Sequence, residues 1–174
     1  KDKRFRWIGQ TSGLQLFGQH LWRQNHGNGT NMFCVVTEGE IDCMSVSQVQ
    51  GNKFPVVSLP NGASSARKYL AANLQWLSQF NRIVLCFDSD EPGINAAEDA
   101  MQVLPPGKAA ICRLPRKDAN EMLVAGEGEH LKDLLWKATP VRPDSIKNAS
   151  ELWDVLVKPG ASAICQYPWP KLNA

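Results

Sequence analysis

The chain has 174 residues, 43% of them apolar and 21% charged, with a formal net charge of +2. That length leaves room for one ordinary α/β domain with short appendages, and the composition excludes a disordered chain. No apolar run reaches the roughly 18 residues that span a bilayer, and the opening Lys-Asp-Lys-Arg-Phe-Arg leads into no apolar stretch, so neither a secretory signal nor a membrane partner is expected.

Residues 5–8 alternate and suit a short strand, and Leu14–Trp22 suits a short helix. His26–Asn31 is a loop by composition. Met32–Thr37 is a continuous run of β-formers, and Ile41–Val49 has helical spacing. Phe54–Leu59 is a second apolar run. The turn Pro60-Asn61-Gly62 leads to a predicted helix over Ser64–Phe80, with Leu70, Leu74 and Leu77 on one face. Arg82–Phe87 is the third run, and Pro92-Gly93 opens a helix over Ile94–Val103. Ala109–Leu114 is the fourth strand; Ala119–Ala125 and His130–Trp136 have helical patterns. Strands of buried type that alternate with helices predict an α/β fold, a four-stranded, mainly parallel sheet between helices. Beyond Ala138 five prolines break the pattern, and only Asn148–Val157 looks helical. The expected organisation is a basic N-terminal segment over 1–30, a catalytic domain over 31–138 and a linker over 139–174.

Cysteines stand at 34, 43, 86, 112 and 165, with no Cys-x-x-Cys pair. Their number and spacing suit neither a disulfide framework nor a zinc site, so they read as buried, reduced thiols of an intracellular protein. His20, His26 and His130 show no ligand spacing and read as surface residues. Charge is uneven. Residues 1–6 carry four basic groups against one acid, a local +3, and residues 82–101 carry Arg82 against five acids, a local −4. The acidic block is expected to attract a cation and the basic end phosphate.

The acids have a pattern. The first strand runs into Glu38-Gly39-Glu40-Ile41-Asp42, the third into Asp88-Ser89-Asp90-Glu91 and the fourth into Arg116-Lys117-Asp118-Ala119-Asn120-Glu121. In a parallel α/β sheet these carboxyl ends share one rim, where ligands bind. Asp88 and Asp90, two apart, aim at one spot if extended geometry persists. Carboxylate oxygens suit Mg2+. Each motif also has an ordinary structural use: acids start helices, and Asp caps them. The ordered set is more specific than any one part.

This set resembles the TOPRIM catalytic domain shared by bacterial-type primases, topoisomerases and related nucleases. Val36–Asp42, Pro55–Leu59, Gly62-Ala63-Ser64, Phe87-Asp88 with Asp90-Glu91, and Lys117–Glu121 look like the bifunctional primase–helicases of short-tailed phages. Lys1–Phe5, Trp7 and Leu16–Gln19 look like the segment before that domain, so the resemblance covers roughly residues 1–145. The mitochondrial helicase Twinkle is a more distant relative in plan. The resemblance implies a TOPRIM fold and a DNA primase, a nucleotidyltransferase that makes short RNA primers from ribonucleoside triphosphates on single-stranded DNA. It implies Glu38, Asp88, Asp90 and Asp118 as catalytic residues. With Asp42, the same residues would be ligands of Mg2+ or Mn2+, and Glu38 is either base or ligand. Lys1, Lys3 and Arg4 would meet nucleotide and template. Apart from the resemblance, Arg67 and Lys68, just after the Gly62-Ala63-Ser64 turn, are placed either to meet phosphate or to form a solvated helix face.

The family's zinc-binding and helicase domains are expected as partners elsewhere in a longer parent chain, because no cysteine cluster and no Gly-x-x-x-x-Gly-Lys-Ser/Thr loop is found in these residues. The piece itself is expected to be monomeric and, in a host cell, cytoplasmic. Three alternatives compete. A haloacid-dehalogenase-type phosphatase needs its Asp-x-Asp on the first strand. A type IA topoisomerase needs a tyrosine nucleophile, for which Tyr69 and Tyr167 are poorly placed. A non-catalytic nucleic-acid or helicase-binding module needs no metal at the acidic rim.

Overall fold

The structure, a computed structural model, describes Ile8, residues 13–22 and residues 33–141. The expected strand over 5–8, the helix over 148–157, Cys165, and Lys1, Lys3 and Arg4 lie outside the described residues.

Four strands form one sheet: β1 (Phe33–Thr37), β2 (Val56–Ser58), β3 (Arg82–Cys86) and β4 (Ala109–Ile111). Their order is β2-β1-β3-β4, and every pair is parallel. The expected four-stranded parallel sheet is therefore present, and it is wholly rather than mainly parallel. Thr37 stands beside Ser58 on one side and Cys86 on the other, so β1 and β3 end level at the centre of the sheet.

Alternate residues of each strand enter opposite cores, as the two-residue period requires. Cys34, Val36, Ile83, Leu85 and Ala109 pack against α2 (Ala66–Ala72), α3 (Leu74–Leu77) and α4 (Glu91–Met101). Phe33, Val35, Val84, Cys86 and Ala110 pack against α1 (Glu40–Val49), α5 (Ala119–Val124) and α6 (Gly128–Lys137). With helices on both faces, the strands are mainly apolar, the exceptions Thr37, Ser58 and Arg82 standing at strand ends. Cys34, Cys43, Cys86 and Cys112 are free and buried, as expected, and burial pushes the Cys43 thiol up to about 12. His20 and His130 are exposed.

Two elements differ from expectation. The helix expected over Ser64–Phe80 is a 3-10 turn (Ala63–Ser65) followed by α2 and α3, with a break at Asn73. The Asn73 side chain donates to the Tyr69 carbonyl at 2.9 Å, competing with the helical ladder. The helix expected over Leu14–Trp22 shrinks to a 3-10 turn at Gln19–Leu21. Phe17 instead pairs antiparallel with Ser58, covering the edge of β2. Gly18 turns the chain away with φ +79, and a Cβ there would stand 3.2 Å from the Val56 carbonyl oxygen. At the other edge Pro140 bridges to Ala110, and Val141 N–H donates to Ala109 at 2.8 Å.

Candidate metal-binding rim

The acids do gather at the carboxyl rim of the sheet. Glu38 follows β1 directly. The Thr37 hydroxyl donates to the Gly39 carbonyl at 3.0 Å and fixes the turn. Glu38 Oε1 faces Gly62, where an added Cβ would lie 3.5 Å away, and Oε2 is buried without a hydrogen-bond partner. Asp42 lies in the first turn of α1, and its Oδ1 accepts the Asn120 N–H at 3.0 Å. Ser45 donates to Asn120 Oδ1 at 3.2 Å, so two contacts tie α1 to the start of α5.

Asp88 stands two residues beyond β3 and is half-buried. Burial pushes its carboxyl up to about 6; the charges of Glu38, Asp42 and Asp118 push the same way, and Lys117 opposes them. Burial also raises Asp42, with Asp118 adding to the rise and Lys117 opposing it. Each carboxylate therefore senses its neighbours across strand ends, the electrostatic sign of one shared site.

Asp90 and Asp118 have a second task. Asp90 Oδ1 accepts the Gly93 N–H at 2.9 Å and caps α4; Asp118 Oδ1 accepts the Glu121 N–H at 2.8 Å and caps α5. Each keeps a second oxygen. The extended geometry that would aim Asp88 and Asp90 together does not persist, because β3 ends at Cys86 and Asp90 turns to its cap.

Beside Asp88 a cleft of about 220 Å3 runs between α4 and the end of β4, lined by Phe87, Ile94, Ala97, Ile111 and Leu114. Its inner edge depends on Gly93: a Cβ there would fall 2.3 Å from the Asp88 carbonyl oxygen. Arg67 pairs with Asp99 at 3.2 Å, and Lys68 stands 5.7 Å from the Tyr69 ring centre. The two bases are thus engaged on the α2 face in this structure.

Sequence reasoning missed three residues. Ser89 joins the loops after β3 and β4, Asn120 holds Asp42, and Lys117 places its Nζ 4.0 Å from Asp88 and 3.9 Å from Asp118. Only Lys117 had a signal, a base standing directly before the acid of its motif.

The donor set fits a hard divalent cation. It offers carboxylate oxygens alone, one of them buried and unpartnered, in a crowd of like charge. Among the described residues no three His, Cys, Asp or Glu side chains are already gathered as a ligand set.

The comparisons agree with this geometry. Residues 35–123 match the family model described as Toprim-like. The DNA helicase/primase of Enterobacteria phage T3 is 45% identical over 154 residues, covering 88% of this chain and 26% of that protein. The crystal structure of the primase fragment of the bacteriophage T7 primase-helicase superimposes with a TM-score of 0.63 at 47% identity, over 70% of this chain and 48% of that one. A DNA primase domain from Pseudomonas aeruginosa gives 0.51 at 26% identity, over 66% of this chain and 36% of that one. The chain thus spans about a quarter of the phage T3 protein and half of the phage T7 fragment. With a family match across β1 to α5 and acids on three successive strand ends, this chain belongs to the Toprim-like family.

Proposed function

We propose that the chain is the catalytic core of a DNA primase, joining ribonucleoside triphosphates into short RNA primers on single-stranded DNA. The observation that carries this reading is the convergence of Glu38, Asp42, Asp88 and Asp118 at one rim, each acid pressing on the ionisation of Asp88. The similarity to a phage helicase/primase supports the choice of reaction.

Glu38, Asp42, Asp88, Asp90 and Asp118 would hold Mg2+ or Mn2+. When bound, the cation supplies Lewis acidity toward the attacking 3′-hydroxyl and neutralises charge on the phosphates. The residues divide the remaining work. Asp42, pinned to Asn120, keeps α1 and α5 at a fixed spacing. Asp90 and Asp118 orient one oxygen by capping and present the other. Glu38 Oε2 is available either to complete the cation's shell or to accept the hydroxyl proton. Lys1, Lys3 and Arg4 would handle template phosphates, with Arg67 and Lys68 as further candidates after release from Asp99 and Tyr69.

The partners follow from the reaction: a single-stranded template, ribonucleotides, and zinc-binding and helicase domains of a parent chain. The piece would act as a monomer, in the cytoplasm of a host cell; among the described residues no helix is long and apolar enough to cross a membrane. The test is dinucleotide synthesis from ribonucleoside triphosphates on single-stranded DNA with Mg2+, comparing the chain with its Asp88→Asn variant. Synthesis that vanishes in the variant supports the reading. Synthesis absent from both, even with a zinc-binding domain added in trans, refutes it in favour of a binding module.

A further inference from the structure

Lys117 occupies an unusual place. Its Nζ lies 4.0 Å from Asp88 Oδ2 and 3.9 Å from Asp118 Oδ2, nearly midway between carboxylates of two different loops and beyond hydrogen-bond distance of either. The carboxylates are 20% and 18% exposed and the lysine side chain 58%, so the ammonium sits at the mouth with the acids behind it. Its main chain is held, because the Lys117 carbonyl accepts the Ser89 N–H at 2.7 Å. The flexible four-carbon stem is the part free to move.

We propose that Lys117 is a built-in counter-cation of the rim: its ammonium bridges Asp88 and Asp118 until a divalent cation displaces it, so metal enters by exchange. This rests on the metal-binding reading above. Among the described residues, Lys117 is the one base within ion-pair distance of Asp88, and its charge opposes those of Glu38, Asp42 and Asp118 there. An ordinary surface ion pair has little effect on anything else. An exchanging cation has a distinct consequence: removing it leaves a more negative rim, which binds metal more tightly although the metal-free rim is less well held.

The experiment titrates Mn2+ into the full 174-residue chain, reading free Mn2+ by electron paramagnetic resonance. The variants are Lys117→Met, Lys117→Gln and Lys117→Arg. The two neutral variants are expected to bind Mn2+ roughly three- to tenfold more tightly at low salt, with the gap closing as salt screens the charges. Lys117→Arg should stay near the parent. Without metal the neutral variants should melt lower, and added Mn2+ should raise their melting temperature by more than it raises the parent's. Unchanged or weaker Mn2+ affinity in both neutral variants overturns the proposal. Variants that fold only with Mn2+ support it, and variants that fold under neither condition make Lys117 structural and overturn it. Primer synthesis by the parent chain, with a zinc-binding domain added in trans, is read separately: tightening without synthesis would sink the primase reading alone, and synthesis without tightening the exchange alone.

Discussion

The Ser89 N–H donates to the Lys117 carbonyl at 2.7 Å, and the Ser89 hydroxyl donates to the Leu114 carbonyl at 2.9 Å. The residue between Asp88 and Asp90 therefore stitches the loop after β3 to the loop after β4. That stitch sets where Lys117 and Asp118 stand relative to Asp88. It also explains how a short β4 can deliver an acid to a rim centred on β1 and β3.

Ser89→Ala removes the side-chain half of the stitch and keeps the backbone half. The Leu114 carbonyl loses its donor, and the net cost of one hydrogen bond is about 1 kcal/mol. Urea unfolding should show that loss at an unchanged slope, together with a smaller rise in melting temperature on adding Mn2+. Unaltered stability and an unaltered metal response would mean that the backbone bond alone holds the loops.

Gly93→Ala should be far more damaging than its place in a helix suggests. Alanine ordinarily stabilises a helix relative to glycine. Here the new Cβ would fall 2.3 Å from the Asp88 carbonyl oxygen, in a contact made by backbone on both sides. The α4 start and the Asp88 segment must part, with a cost of about 2 kcal/mol. Thermal unfolding should show the loss, and metal binding should weaken because Asp88 moves. A stabilised variant would show that the segment yields easily.

The sheet was legible because its strands are buried on both faces and therefore read as apolar runs: residues 33–36 and 83–86 stand out with no alternation to decode. The rim was legible because a parallel sheet sends every carboxyl end the same way, so Glu38, Asp88 and Asp118 had to meet. The division of labour among the acids was not. Asp90 and Asp118 satisfy the sequence pattern of a cap and that of a ligand equally well, and only the Gly93 and Glu121 N–H contacts show that capping occurs. Ser89 was invisible because its acceptors are main-chain carbonyls some 25 residues away, and a carbonyl has no sequence signature. The break at Asn73 was missed because leucine periodicity continues through it while the asparagine side chain interrupts the ladder.

The pH dependence has a definite sign. Asp88 titrates near 6 in the folded chain against an ordinary 3.8, chiefly through burial and then through Glu38 and Asp42. Between those values the folded chain retains a proton that the unfolded chain has released. Stability must therefore fall as pH rises through this window, from a favourable state complete below the ordinary value. Asp42 is raised as well and adds the same slope. Glu127 and Asp133, lowered by Arg116 and Lys137, act with the opposite sign and at more acid pH. Metal-free melting curves from about pH 4 to pH 7 should thus descend for the parent chain. For Asp88→Asn they should descend less, leaving the variant the more stable near neutrality. An equal descent in both would place the titrating group elsewhere.

The two roles of Asp90 can be separated. Its Oδ1 caps α4 through the Gly93 N–H, and asparagine caps about as well as aspartate. Asp90→Asn should therefore stay within about 0.5 kcal/mol of the parent in metal-free buffer, while it loses dinucleotide synthesis and weakens Mn2+ binding through the missing charge. Asp90→Ala loses the cap too and should cost about 1 kcal/mol beyond the asparagine variant. Asp99→Asn is the control. It gives up only the ion pair with Arg67, in which both side chains are more than half exposed, so stability and synthesis should hardly change. Stability by urea unfolding and synthesis by product length would be read on all three. Loss of synthesis in Asp90→Asn at parental stability makes the carboxylate charge functional. Retained synthesis in Asp90→Asn with loss of stability in Asp90→Ala would make Asp90 a helix cap alone and strike it from the metal-binding set.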